Sequence, residues 1–281
     1  MKKEVTTFTM EELLCLHLLG YSVNDIVSQK STFQKQTEIP TKETNKIEFL
    51  KTTIAKSKRI FEKAKNILED QSKAGVVSIP YHANDYPRSL MDLKNSPLLI
   101  HLLGNKEVLY NENTVAIIGA RRANNIGRNA AYRLAQEYAS REHVIISGLA
   151  LGCDSTAHRG CLDVQGETIA IVGSGLDITH PIENKSLQEE ILDNGGLLLS
   201  EQPFRTQATP RRLVARNRLQ AALAKQVIVA QCPVKSGTMY TVEFAREMKR
   251  DVFAVAYNYY NEFSSGNEYL IKEHIGKPII F

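Results

Sequence analysis

The amino-acid sequence predicts an α/β protein in which a small helical N-terminal domain precedes a doubly wound, mostly parallel sheet. Three observations carry this reading. From Val76 onward short β-branched runs alternate with amphipathic stretches, and glycine marks most of the junctions between them. Residues 1–75 differ in texture, being Lys-rich with the single arginine Arg59 and few glycines. The 281 residues, 43% hydrophobic and 23% charged, are enough for a sizeable core.

In the first region Met10, Leu13, Leu14, His17 and Leu18 fall on one helical face ahead of Gly20. Ile47, Leu50, Ile54, Phe61, Ala64 and Leu68 then describe one long second helix. Residues 29–44 between them are polar and contain Pro40, the pattern of a loop. Beyond them, strands are expected at Thr114–Ile118, Val144–Ser147, Thr168–Val172, Gly196–Ser200, Gln226–Ala230 and Val252–Ala256. Helices are expected to begin near Ile126, Cys153, Asn184, Val214 and Gly237. A run such as Val227-Ile228-Val229-Ala230 is apolar at consecutive positions, so both faces of its strand are covered, as in a parallel sheet with helices on each side. The expected organisation is a helical domain at 1–75 and an extended Rossmann-like domain at 76–281, with the ligand site at the carboxyl ends of the strands.

Charge narrows the function. Lys+Arg exceed Asp+Glu by 35 to 31, a formal +4, with 13 basic and 10 acidic residues in 1–75 and 22 and 21 in the remainder. The excess is too small for a general nucleic-acid binder, yet Arg205, Arg211, Arg212, Arg216 and Arg218 stand in one stretch that contains no acidic residue. Cys15, Cys153, Cys161 and Cys232 form no C-x-x-C pair and no zinc spacing with the histidines, so buried free thiols are expected and no metal. No apolar run approaches the roughly 18 residues of a membrane span. Met1-Lys2-Lys3-Glu4 leads into no apolar signal core, and a cytoplasmic location without membrane contact is the expectation.

Candidate binding residues cluster at the strand ends. The first strand runs into Gly119-Ala120-Arg121, the second ends in Ser147-Gly148 ahead of Gly152, the third runs into Gly173-Ser174-Gly175, and the fifth precedes Ser236-Gly237-Thr238. Glycine admits a ligand close to the backbone, and amides at a helix start offer donors to an anion, so such a row suits phosphate. None of these turns is G-x-G-x-x-G and no Walker A sequence is present, which counts against nicotinamide and ordinary ATP sites. Arg121, directly after a strand and a glycine, reads as a phosphate-facing side chain, since an unpaired buried guanidinium is costly.

These motifs in order, Ile118-Gly119-Ala120-Arg121, Ser147-Gly148-Leu149-Ala150-x-Gly152-x-Asp154-x-x-Ala157-His158, Gly173-Ser174-Gly175-Leu176-Asp177, Arg216-Asn217-Arg218 and Ser236-Gly237-Thr238, resemble the DprA/Smf family of DNA-processing proteins over about residues 76–275. The resemblance implies an extended Rossmann fold that binds single-stranded DNA without catalysis or cofactor, forms a homodimer, and helps load RecA onto DNA in natural transformation or recombination. It implies that Arg121 contacts phosphate, helped by the backbone at Gly119 and Ser147-Gly148, and that Arg216 and Arg218 extend a basic channel. The chain departs from the family pattern at Ile182, where a basic residue is usual, at Leu213-Val214-Ala215, where an aromatic-proline pair is usual, and at Gln231, where an acid is usual. No C-terminal winged-helix domain is expected. By the same analogy the aromatic stretch Tyr257, Tyr259, Tyr260 and Phe263, with the helix near Tyr269, forms a dimer surface rather than a base-stacking platform.

Two rival readings belong to other classes. Ser236-Gly237-Thr238 with Glu243 loosely resembles the motif of LOG-type nucleoside-monophosphate phosphoribohydrolases, but Thr238 and Glu243 are five apart instead of three, which turns the carboxylate to another helix face. A nucleotide-sensing Rossmann protein would use the same crevice. Asp154 and His158 read as a helix-start partner and a packed polar residue, not as an acid-base pair.

Overall fold

The computed structural model describes residues 8–27 and 43–280, and the chain divides into two compact units, Met1–His101 and Leu102–Phe281. The first unit holds α1 (Met10–Leu18), α2 (Val23–Val27), α3 (Glu43–Lys56), α4 (Lys58–Lys73), β1 (Val77–Pro80) and α5 (Arg88–Met91). Strand β2 (Leu99–Gly104) runs across the division between the two units. Helix α1 starts in a capping box, Thr9 accepting from the Glu12 amide while Glu12 reaches back to the Thr9 amide. The long second helix expected from the apolar spacing is two helices, α3 and α4, parted at Ser57. The hydrophobic period restarts there, so Ala64 and Ile67 are buried while Leu68 is only half-buried. The polar stretch expected as a loop at 29–44 lies, except for its last two residues, outside the described residues.

The second unit alternates strand and helix: β3 (Thr114–Ile118), α6 (Asn125–Ala139), β4 (Val144–Ser147), α7 (Cys153–Leu162), β5 (Thr168–Val172), α8 (Lys185–Asp193), β6 (Leu197–Ser200), α9 (Pro210–Leu223), β7 (Gln226–Val229), α10 (Thr238–Glu247), β8 (Asp251–Val255), α11 (Ser265–Lys272) and β9 (Lys277–Ile279). Its strands lie in the order β6-β5-β4-β3-β7-β8-β9, each pair parallel. Every residue of β3, β4, β5 and β6 is buried, as uninterrupted apolar runs require. Val115, Ile117, Ile145 and Ile228 meet Ala130, Ala131, Leu134 and Ala135 of α6 and Ala157 and Cys161 of α7 in one cluster. Each fully buried Val, Leu or Ile there contributes about 1.5–3 kcal/mol. Helices α9 and α10 pack on each other, and α9 lies against β3, β4 and β5. The four cysteines are buried and free. Among the described residues no helix is long and apolar enough to cross a membrane.

The topology fixes where a ligand can sit. The chain moves outward from β3 through β4 and β5 to β6, then returns to the other side of β3 with β7. The loops leaving β3 and β7 therefore diverge and leave a crevice at their carboxyl ends.

Candidate functional site

A cavity of about 450 Å³ occupies that crevice. Gly119 and Arg121 from the turn after β3, Arg216 and Asn217 from α9, and Ser236, Gly237 and Thr238 at the start of α10 all line it. Seven of the residues expected from the sequence are thus brought together. Arg122 and Lys235 line it as well, and with Arg121 they are solvent-exposed, while Ile118, Leu213 and Val214 supply apolar wall. The Arg121 turn is held by Gln231 after β7. Its backbone carbonyl accepts from the Ala120 amide at 2.7 Å, and its side chain accepts from the Asn124 backbone amide through Oε1 and donates from Nε2 to the Asn124 side-chain Oδ1. Asn217 donates to the Gly237 carbonyl at 3.2 Å, tying α9 to the start of α10.

Two groups of opposite charge are buried at the floor of the crevice. Asp154, in the first turn of α7, and Arg216 are 6% and 3% exposed. Both reach the same spot: a side-chain carbon added to Gly148 would meet Oδ2 of Asp154 and Nη2 of Arg216, each at 2.5 Å. Arg216 Nη1 also donates to the Gly148 carbonyl at 2.7 Å. Burial pushes the Asp154 carboxyl up from the ordinary carboxylate value, against the opposing pull of the Arg216 guanidinium and of the backbone N–H groups of Ala150, Gly148 and Gly119. Burial likewise draws Arg216 down to about 10, and the group stays charged at neutral pH. Backbone donors expected to hold phosphate are thus already turned on a carboxylate of the chain itself.

The other expected residues shape the site instead of lining it. Ala120, half-buried, spends its amide on Gln231. Ser147 donates to the Ile117 carbonyl at 2.7 Å, and Ser174 donates to the Ile178 carbonyl. Gly173, Ser174 and Gly175 are buried, and a side chain on Gly175 would meet the Pro203 carbonyl at 2.5 Å. Gly152 has φ +82 and presses on the carbonyls of Ala120 and Arg121. Arg218, expected to extend the basic channel, instead grips Glu201 at 2.7 and 2.5 Å, with both side chains nearly buried. Glu201 follows β6, outside the acid-free stretch 205–218, so the sequence window did not contain Arg218's counter-charge. Arg205 donates its backbone amide to Asp177, Arg212 donates to the Gln207 carbonyl, and Arg211 is exposed.

Neither rival catalytic element faces the cavity. Glu243 is exposed on α10 and is not among the lining residues, and His158 is fully buried against Thr168, pulled down to about 3 by burial and by the Arg216 charge. Sequence reasoning missed Gln220, which is buried and lines the cavity four residues after Arg216. That spacing, one helical turn along the same face, was its available signal.

Comparison with known proteins adds independent evidence. The family model described as DNA recombination-mediator protein A matches residues 78–279. DNA processing protein DprA of Streptococcus pneumoniae is 38% identical over 188 residues, 67% of this chain and 66% of the relative. Protein Smf of Synechocystis is 34% identical over 201 residues, 68% of this chain and 50% of the relative. The matched region thus spans half to about two thirds of the length of these relatives. Among solved structures, the X-ray structure of the Streptococcus pneumoniae protein superposes with a TM-score of 0.75 at 29% identity, covering 98% of this chain and 95% of the other. A Helicobacter pylori DNA processing protein A, described for its single-stranded DNA binding mode, superposes with a TM-score of 0.65 at 32% identity over 73% of this chain and 90% of its own.

Proposed function

The chain belongs to the DNA recombination-mediator protein A family, and from that premise we propose that it binds single-stranded DNA without catalysing a reaction on it. The observation that carries this reading is the set of exposed cations, Arg121, Arg122 and Lys235, around the crevice between β3 and β7. A strand laid along them exchanges its counterions for fixed guanidinium and ammonium groups, and the bases remain available to stack or enter the crevice. Because the second unit is close to neutral overall, binding is confined to this rim. The family description, DNA recombination-mediator protein A, and the relative's name, DNA processing protein, support a role in recombination; loading of RecA onto DNA in transformation or recombination, in the cytoplasm and as a homodimer, is the finer part of the same proposal. The exposed aromatic side chains of Tyr259, Phe263 and Tyr269 support the C-terminal region as the dimer face. Against the phosphoribohydrolase reading stands the exposed position of Glu243, away from the cavity.

The test is a titration of labelled single- and double-stranded oligonucleotides against wild type and Arg121→Ala at two salt concentrations. Wild type is expected to prefer the single strand. The variant is expected to bind more weakly at low salt, with its salt slope reduced by about 0.7, the value for one lost phosphate contact on a single strand. No single-strand binding at low salt, or an unchanged affinity in the variant, rejects the site. Incubation with AMP and NAD, with free base as the readout, checks the hydrolase alternative; base release would replace the binding role with an enzymatic one.

A further inference from the structure

We infer that the floor of the crevice receives a nucleobase and that Gln220 reads its edge, an inference that rests on the single-stranded DNA reading of the same site. The argument begins with how charge is layered. At the rim Arg121, Arg122 and Lys235 are exposed cations. At the floor the Arg216 guanidinium and the Asp154 carboxyl converge beside Gly148, and Arg216 Nη1 donates to the Gly148 carbonyl, so the charge of the interior is engaged within the chain. A phosphate is best held where positive charge is in excess, which is the rim. A neutral ring is best held where walls are apolar and the few polar groups are uncharged, which is the floor.

Gln220 supplies the second observation. It is 2% exposed and lines the cavity, and its Nε2 has no hydrogen-bond partner among the described residues. The neighbouring Arg216 Nε is likewise unpartnered. A buried donor left without an acceptor costs about 1–3 kcal/mol, so two of them on one helix face, both bordering the same cavity, mark a place where an acceptor from outside completes the pairing. A base edge offers carbonyl and ring-nitrogen acceptors together with N–H groups, and a carboxamide that turns can serve either kind. Ile118, Leu213 and Val214 give the ring its apolar contacts. The same chemistry arrives on a strand or as a free nucleotide, so the experiment separates the two.

The probe is a labelled strand of about eight abasic sites, a length in the range that single-strand-binding folds occupy, carrying a single central base, with each of the four bases tried in turn. In wild type at least one base is expected to strengthen binding about five-fold over the wholly abasic strand. Gln220→Leu is expected to abolish that increment while keeping the affinity for the abasic strand, which is held by the rim. Gln220→Glu keeps the side-chain size, removes the donor and loses the same increment, so the test survives if the leucine variant does not fold. An increment absent from wild type, or one that persists in both variants, overturns the inference. Competition by a free mononucleotide carrying the preferred base, but not by ribose 5-phosphate, supports base recognition from a free source as well; equal competition by both overturns it. Failure of the single-strand reading looks different. No strand of any kind binds, and mononucleotide titration of wild type against Gln220→Leu still decides the role of Gln220, an equal affinity overturning it.

Discussion

Asp154 is the residue on which the site turns. The sequence shows an acid at a helix start, and such a position reads as a dipole partner worth a few tenths of a kcal/mol to about 1 kcal/mol. The structure gives it a larger task, because it is the counter-charge to a fully buried arginine and gathers the amides of Gly119, Gly148 and Ala150. Asp154→Asn keeps the volume and removes the charge, leaving Arg216 uncompensated. A loss of about 3–5 kcal/mol is expected, measured as the shift in denaturant midpoint. Combining it with Arg216→Met should cost less than the sum of the two single changes, since each partner removes the other's reason for burial. A single variant within about 0.5 kcal/mol of wild type would contradict the pairing. This pair also marks the limit of what the sequence made legible at the site. Arg121 and the α10 start were readable because a basic side chain directly after a strand and a glycine has few other uses. Which arginine is spent internally was not, because Asp154 and Glu201 lie 62 and 17 positions from Arg216 and Arg218, and only the folded chain brings those charges together.

At the scale of elements, the six expected strands, β3 to β8, were legible to within a residue because uninterrupted apolar runs are hard to place in anything but a covered parallel sheet, whereas β1, β2 and β9 were not expected. Four of the five expected helix starts were legible to within a residue as well, and α9 is the exception. Helix α9 begins at Pro210, four residues before the expected Val214, because its start is fixed by Thr209, whose hydroxyl accepts from the Arg212 amide, with proline in the first turn, and not by apolar spacing. The break at Ser57 was hidden for the complementary reason: apolar residues recur on both sides of it. The glycines separate in the same way, some needed by the backbone and some not. Gly152 sits at φ +82, ψ −124, and a side-chain carbon there would meet the Arg121 carbonyl at 2.6 Å. Gly237 has φ −58, ψ −22 and nothing within 4 Å of the same added carbon. Gly152→Ala is therefore expected to cost about 3 kcal/mol or to prevent folding, whereas Gly237→Ala should raise stability by about 0.4–1 kcal/mol through the unfolded chain. Paired denaturation curves check both. Equal effects would mean that the turn after β4 is not held against the Arg121 turn.

Over the whole molecule, each unit contains one histidine sealed from solvent, and together they set an acid limit on the fold. In the second unit the Thr168 hydroxyl donates to the Ile145 carbonyl, so it accepts from His158 Nδ1, and Nε2 is left without a proton or a partner. In the first unit Gln71 Nε2 can only donate, so His101 Nδ1 accepts from it and the proton resides on Nε2. Burial holds both rings at about 3, with His17 adding to the effect on His101 and Arg216 to that on His158. The unfolded chain takes up these protons near pH 6.5 and the folded chain does not. The stability they confer is thus complete above 6.5 and declines as pH falls toward 3, each ring contributing a slope of about 1.4 kcal/mol per pH unit inside that window. His158→Asn should flatten the dependence of unfolding free energy on pH between 6.5 and 4 by one such slope, with the His101 contribution remaining. The measurement is a series of urea unfolding curves across that range for wild type and variant. Parallel pH profiles would show that His158 is protonated in the native fold and that its nitrogen has found a partner.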